Sequence, residues 1–463
     1  MKRKAGLAAI LSAVCACSLA CCANPAIAAR QTYVPQGSTC DGFPRAGIDM
    51  AAGMCAGLVT APAEGAFRSR RLKTPRMLLQ LKDPSRWLVT DLGEWTAGRG
   101  KVWLMDVPRP GEVHLTVLLR GLTLPHTVAY GPDGGIYVAE MNRIFRLDVA
   151  SGTTVTVVDH LPGNRLHIGR HPLSHFTFDG NGDLLVNVGA DTDQCTNKEG
   201  APLGATCPES EGDNARAVIR RYRYLGSGRW DPRPKILARG LRNSLVLVRH
   251  ESGTLLQGEN SYDFAPTEDR PYDEINVIRP GANYGWPYCY DMDQPTPAWA
   301  GSRVMDCNSP AHEKPTVLLP PHSAPLGAVY YSGPMFPALE GKLLMSWHGY
   351  RPTGSRIVAF DVDAKGVPIT TPHARFPEYL GDGHIAFKEY RDGRGAEPLV
   401  LTPGWDLKRG VRPAGAPVGI TIARDGALWV ADDRNGAILR FAAEPIPPHL
   451  AAYRATPGKQ AGQ

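Results

Sequence analysis

Several functional signatures are missing from this chain. It has no G-x-x-x-x-G-K-[ST] loop, no H-E-x-x-H and no G-x-S-x-G, which removes P-loop nucleotide chemistry, zincin proteolysis and the α/β-hydrolase triad. No C-x-x-C and no C-x-x-C-H is present, so neither a zinc knuckle nor a covalent haem site is expected. Long segments with 3.6-residue periodicity are absent, which argues against a helical protein. Beyond Ala23 no apolar run reaches the ~18 residues of a membrane helix. Charge of one sign is also scarce. The formal net charge is +6 over 463 residues, and Lys2, Arg3 and Lys4 supply half of it. No basic tract stands out, so nucleic acid is not an expected partner.

Turn formers and an export signal are present instead. Gly 50 and Pro 41 make up about a fifth of the 463 residues and are spread along the chain, as many short turns require. Residues 1–28 read as a signal peptide: a basic start, an apolar stretch from Ala5 to Ala23, then Ala26-Ile27-Ala28 as the cleavage site. The apolar stretch is long, so an uncleaved anchor is the alternative. "SLAC" (18–21) faintly resembles a lipoprotein site. The chain is therefore expected to be exported, to the periplasm.

Of the 10 cysteines, four lie in that leader; Cys40, Cys55, Cys195, Cys207, Cys289 and Cys307 remain. An even number in an exported chain favours disulfides. Their clustering favours 40–55, 195–207 and 289–307, each stapling a local loop.

A short apolar run recurs, usually after a turn: at 86–91, 131–140, 179–189, 251–259, 339–347 and 423–433. Gly134, Gly182, Gly253, Gly341 and Gly426 each stand two residues before such a run, where a hairpin turn needs positive φ. Six units predict an all-β fold, a six-bladed β-propeller with inserted disulfide-stapled loops; a pair of β-sandwiches is the alternative. The expected organisation is a signal at 1–28, an N-terminal extension at 29–70, the propeller at 71–445 and a mobile tail at 446–463.

Two places concentrate reactive side chains. "GRHPLSHFTFDGNG" (169–182) holds His171 and His175. Pro172 and the extended reading of the segment speak against a helical metal pair. Phe176 and Phe178 share one strand face, His175 and Thr177 the other. "DGNGD" (179–183) reads as a plain hairpin turn, and "DVDAKG" (361–366) lacks the later ligands of a calcium loop. Residues 238–291 gather Arg242-Asn243, Glu259-Asn260, Asp273-Glu274-Ile275-Asn276 and "NYGWPYC". A cationic fork, amides and carboxylates together suit a planar anionic ligand with a bound cation, or a loop network of salt bridges.

"GLRN", "LLQGE", "DEIN" and "GANYGWPYC", with "HSAPLGAVYYSG" (322–333) and "VGITIARDGALWVADD" (418–433), together resemble the glucose/sorbosone dehydrogenase family. The resemblance runs from about residue 75 to 442 and leans towards its sorbosone dehydrogenase branch. It implies a six-bladed propeller that uses pyrroloquinoline quinone (PQQ) and calcium to oxidise a sugar or sugar aldehyde, with a separate electron acceptor. Counting back from Phe178 by the family's spacing makes His171 the general base, with hydride passing to the quinone, and leaves His175 a structural or rim residue. It implies that Arg242 stabilises charge on the quinone. Asn243, Asn260, His322, Arg351 and Arg412 would hold the cofactor. The carbonyls of Ser261 and Tyr262, supported by Asp273, would hold calcium. One departure stands out: the family's Arg-Pro before the last "VG" strand reads Ala416-Pro417 here. A propeller of the same scaffold that binds a carbohydrate or protein without turnover is the alternative.

Overall fold

The architecture was read from a computed structural model. It describes residues 33, 35, 37–60, 71–163, 165–166, 169–263, 270–380, 384–405, 407–409 and 412–445, with backbone only at 407–409 and 412–413. The expected signal (1–28) and tail (446–463) lie outside the described residues.

Six four-stranded antiparallel sheets follow one another along the chain. Blade 1 runs from Pro75–Gln80 to Glu112–Leu122, blade 2 from Val128–Tyr130 to Thr154–Val158, and blade 3 from Phe176–Phe178 to Lys235–Arg239. Blade 4 runs from Ser244–Arg249 to Val317–Leu319 and blade 5 from Pro325–Tyr330 to Leu399–Val400. Blade 6 takes three strands from the C-terminal part, Pro417–Ile422, Leu428–Asp432 and Ala437–Ala443. Its fourth is Met54–Thr60, which pairs with Ala437–Ala443. Part of the stretch expected as an extension is therefore integral to the propeller. The reason is physical: without that strand, Ala437–Ala443, a fully buried strand apolar at every position but Arg440, would have an open edge.

The six apolar runs seen in the sequence are the second strands of the six blades. Leu184–Val188, Leu343–Trp347 and Leu428–Asp432 are buried at every position, because a mid-blade strand is covered by the blades on both sides. Outer strands such as Glu112–Leu122 are half exposed and carry no such signal. The five glycines before these runs all adopt positive φ, between 71° and 93°, at no steric cost. Blades 1 and 6 are knitted by Trp87 stacked on Trp429, ring centroids 4.2 Å apart.

The first strands of the blades pack around the axis. Leu92, Leu124, Leu173, Leu245, Leu326 and Val418, one from each blade or the turn leading to it, form a single apolar cluster there. This cluster plugs the centre, so the propeller mouth is a cup and not a pore. The three expected disulfides are present: Cys40–Cys55, Cys195–Cys207 and Cys289–Cys307. The second and third staple loops inserted in blades 3 and 4. Those loops pack together: Trp299 donates its indole N–H to Gln194 O at 2.7 Å, and Cys207 N–H donates to Tyr288 Oη at 2.9 Å.

Candidate active site

The cup holds a cavity of about 520 Å³, within the range of sites that bury a small organic ligand. Its wall brings together His171, Arg242, Asn243, Asn260, Ser261, Asp273, His322 and Arg351, eight of the residues singled out from the sequence. A narrower annexe of about 120 Å³ shares His171, Asn243 and His348 with it and ends on Leu173, Leu245 and Leu326.

His171 sits just before blade 3. Its Nδ1 is 2.7 Å from the carbonyl of Ala190. A carbonyl only accepts, so Nδ1 carries the proton and Nε2 is the basic nitrogen. Nε2 has no hydrogen-bond partner among the described residues. Burial, then the charge of Arg242, hold its pKa well below the usual 6.5. The ring is thus a neutral base of fixed tautomer. Gly189 makes this packing possible: a Cβ there would stand 2.5 Å from His171 Cβ and 2.6 Å from its carbonyl oxygen. His175 faces elsewhere. Its Nδ1 meets Thr127 Oγ1 at 2.8 Å, its ring packs edge-on to His126, and burial lowers its pKa to about 4.

Arg242 is 3% exposed and engaged through both terminal nitrogens. Nη1 donates to the carbonyls of Asn260 (2.9 Å) and Ser261 (2.6 Å). Nη2 donates to Asp193 Oδ1 at 2.7 Å and lies 3.1 Å from Asp263. Asn243 is pinned from below by Glu259, whose Oε1 accepts its backbone N–H at 2.8 Å. The Asn243 side-chain amide has no protein partner among the described residues. Asn260 donates its amide to Pro325 O at 3.0 Å, tying blade 4 to blade 5.

Glu259 and Glu274 are cross-strand partners in blade 4, both buried. Burial pushes the Glu259 pKa up to about 8, although Asn243 N–H, Arg242 and Gln257 oppose it. Burial and the neighbouring Glu259 push Glu274 up as well. The folded protein therefore holds a proton that the unfolded chain loses near pH 4.5. Stability from this group is full below that value and is lost as pH rises through about 8. Glu259→Gln should flatten this dependence, leaving stability at pH 5 little changed and reducing the loss at pH 9. Urea denaturation at both pH values checks it, and identical pH slopes for the two proteins would count against the assignment.

Do these residues fit the groups the resemblance implies? For a planar anionic quinone they do. Arg170, Arg242 and Arg351 line the cavity. Among the described residues the buried His322 Nε2 and Arg242 Nε have no hydrogen-bond partner, and the Asn243 amide is unused. His322 itself is held in the left-handed region at φ 56°. For calcium they do not. The Ser261 carbonyl already accepts from Arg242, so a divalent ion there would sit against a guanidinium. Both carboxylate oxygens of Asp273 are taken: Oδ1 accepts Ser261 N–H, and Oδ2 accepts Ser323 O–H and Ala324 N–H. Tyr262 lies outside the cavity lining, its hydroxyl donating to Cys289 O at 2.9 Å among the disulfide loops. The Ser261 carbonyl and the Asp273 carboxylate are thus both engaged, and Arg242 supplies the positive charge at that point.

Ala416 is fully buried, and its carbonyl accepts the N–H of Asp433 at 3.2 Å. Arg412 lies on a short strand, Arg412–Pro413, and its side chain is outside the described residues. A cluster not singled out in the sequence stands nearby. Arg76 of blade 1 is paired with Asp433 of blade 6, and His348 Nε2 is 3.0 Å from the other Asp433 oxygen. All three line the annexe. The sequence carries one trace of this cluster: an arginine inside an otherwise apolar strand, "PRMLLQ".

A family model described as Glucose / Sorbosone dehydrogenase matches residues 156–365. The segment contains His171, Arg242, Asn243, Asn260, His322 and Arg351, and the match bears out the resemblance read from the sequence, without specifying the sorbosone branch. An uncharacterized protein of Borreliella burgdorferi is 29% identical over 222 residues, 46% of this chain and 50% of that one. The chain thus aligns with about half the length of the curated relative it matches. Among solved structures, the calcium structure of a Trichoderma reesei carbohydrate-active enzyme shares 19% identity, with 87% of this chain and 98% of that one covered and a TM-score of 0.61. The holo PQQ domain of pyranose dehydrogenase from Coprinopsis cinerea shares 19%, covering 87% and 99%, at 0.58. The PQQ-bound aldose sugar dehydrogenase of Streptomyces coelicolor shares 17%, covering 85% and 99%, at 0.51. At these identities the likeness is one of fold.

Proposed function

We propose that this chain is a PQQ-dependent dehydrogenase that oxidises a sugar or sugar aldehyde, of aldose or sorbosone type, and hands its electrons to a separate acceptor. The observation that carries this reading is His171: a neutral imidazole, its tautomer fixed by Ala190 O, on the wall of a cup beside Arg242. Bound PQQ supplies a two-electron acceptor that the twenty side chains lack. The chain's own residues do the rest. His171 Nε2 takes the proton from the substrate hydroxyl as its carbon loses hydride. Arg242 and Arg351 place positive charge on the cavity wall, and Asn243 offers a free amide to a planar carbonyl ligand. The apolar end formed by Leu173, Leu245 and Leu326 keeps water from the deep side. Because His171 stays neutral well below pH 6.5, the acid limb of kcat/KM is expected below that value.

The fold and the three disulfides support an oxidising compartment, hence the periplasm. The alternative is a propeller that binds a carbohydrate or protein without turnover. One observation favours it: the buried Ala416 offers no cationic anchor.

Purified protein titrated with PQQ, with and without calcium, then assayed on aldoses and sorbosone with a dye acceptor, decides between them. One PQQ bound per chain and dye reduction are expected. Binding without turnover on any sugar supports the alternative, and no PQQ binding under either condition overturns the proposal.

A further inference from the structure

After its second strand, blade 3 leaves the sheet through Ala190–Asp193, makes the loop stapled by Cys195–Cys207, and returns past Glu209. Those four residues hold both groups assigned above. The Ala190 carbonyl accepts His171 Nδ1–H at 2.7 Å, and the Ala190 N–H donates to the Arg242 carbonyl at 2.9 Å. Asp191 accepts the backbone N–H of Arg170 at 2.9 Å, next to His171. Asp193 accepts Arg242 Nη2 at 2.7 Å, and its own carbonyl is fixed by the indole N–H of Trp286 at 2.9 Å.

One buried side chain fixes this segment from behind. Glu209 is 4% exposed and lines neither the cavity nor the annexe. Its Oε2 accepts the N–H groups of Asp191 (2.7 Å) and Thr192 (3.2 Å), and its Oε1 accepts the Thr192 hydroxyl at 2.6 Å. Thr192 Oγ1 in turn accepts the N–H of Cys195 at 2.8 Å. Glu209 makes no ion pair among the described residues; its carboxylate is held by two backbone N–H groups and the Thr192 hydroxyl.

We propose that Glu209 is a positioning residue: acting through residues 190–193, it sets His171 and Arg242 in one frame, and the Cys195–Cys207 bond keeps it in place. The geometry leaves little freedom. The two bonds leave the two peptides that flank the Ala190 Cα, so a displacement of that residue disturbs the partner of the base and the backbone of the cation together. The stapled insertion is then a brace for the reacting groups. The proposal rests on the reading of His171 and Arg242 given above.

The test compares Glu209→Ala with Glu209→Gln, and reads two quantities. The first is the ¹⁵N signal of the His171 imidazole against pH in protein without PQQ, where Arg242 and Arg170 are the cations facing the ring. In Glu209→Ala the single tautomer should give way to a mixture and the titration should move up towards 6.5. Glu209→Gln, which keeps an acceptor for the Asp191 and Thr192 N–H groups, should stay close to wild type. The second is turnover of the PQQ-loaded protein, expected to fall about 10²-fold in Glu209→Ala, as ~1 Å misplacements do, with most of it retained in Glu209→Gln. If Glu209→Ala does not fold, Cys195→Ser with Cys207→Ser carries the same readouts, with the same direction expected. A lower melting temperature with an unchanged His171 signal would overturn the proposal. If wild type binds no PQQ, the functional reading fails, while the His171 signal still decides this inference.

Discussion

Turnover on PQQ and sugar is expected to fall about 10²–10⁴-fold in His171→Ala, the usual contribution of a positioned general base. His175→Ala should leave it nearly intact. The two histidines are four residues apart and both buried, yet their surroundings differ in kind. His171 spends one nitrogen on Ala190 O and keeps the other for chemistry. His175 is bonded to Thr127 and packed against His126, and it lines neither the cavity nor the annexe. The loss in His171→Ala should be in kcat with cofactor affinity little changed, because a neutral imidazole adds little to holding an anion. His175→Ala should lower the melting temperature, since it removes the shorter of the two bonds of Thr127 Oγ1 and leaves a void behind. Steady-state kinetics and PQQ titration on both folded variants check this. Loss of turnover in His175→Ala with His171→Ala active would overturn the assignment.

Arg76→Met is expected to cost about 3–5 kcal/mol of folding stability, the usual penalty for stranding a buried charge. The side chains of Arg76 and Asp433 are 2% and 8% exposed. Asp433 is held below the ordinary carboxylate range by His348 and Arg76, against the effect of its burial. Without Arg76 the carboxylate keeps its bond to His348 and the charge of Arg434. Arg76 Nη2 also lies 3.2 Å from His126 Nε2, so the loss reaches blade 2. Removing both charges together should be milder: Arg76→Met with Asp433→Asn is expected to recover a large part of the loss. Urea denaturation of the single and double variants measures the coupling. A cost for Arg76→Met below about 1 kcal/mol, the scale of an exposed pair, would sink the claim.

What the sequence showed and what it hid follow from the same geometry. A second strand is enclosed on both faces, so it reads as a short apolar run, in five of the six blades after a turn glycine, and all six could be found. The first and outer strands are short or half exposed and look like loops. The cup residues named in advance lie in local motifs, "GLRN" and "HSAPLG" among them. Arg76 and Asp433 are 357 positions apart, and nothing in either neighbourhood names the other. Asp193 and Glu209 sit inside an insertion that reads as decoration until the bonds from Ala190 are seen.

The pairing of Met54–Thr60 with Ala437–Ala443 orders events in the life of the molecule. The last blade borrows its outer strand from near the start of the chain, so the ring cannot close until residue 443 has been made. The strand that waits is held near its start by Cys40–Cys55, a bond only 15 residues long that can form while the rest is still emerging. The cup draws on residues as far along as Asp433, so it does not exist in any shorter nascent chain. Loading of a ligand into it is therefore a post-synthetic event, and for a chain that crosses a membrane unfolded it takes place on the far side.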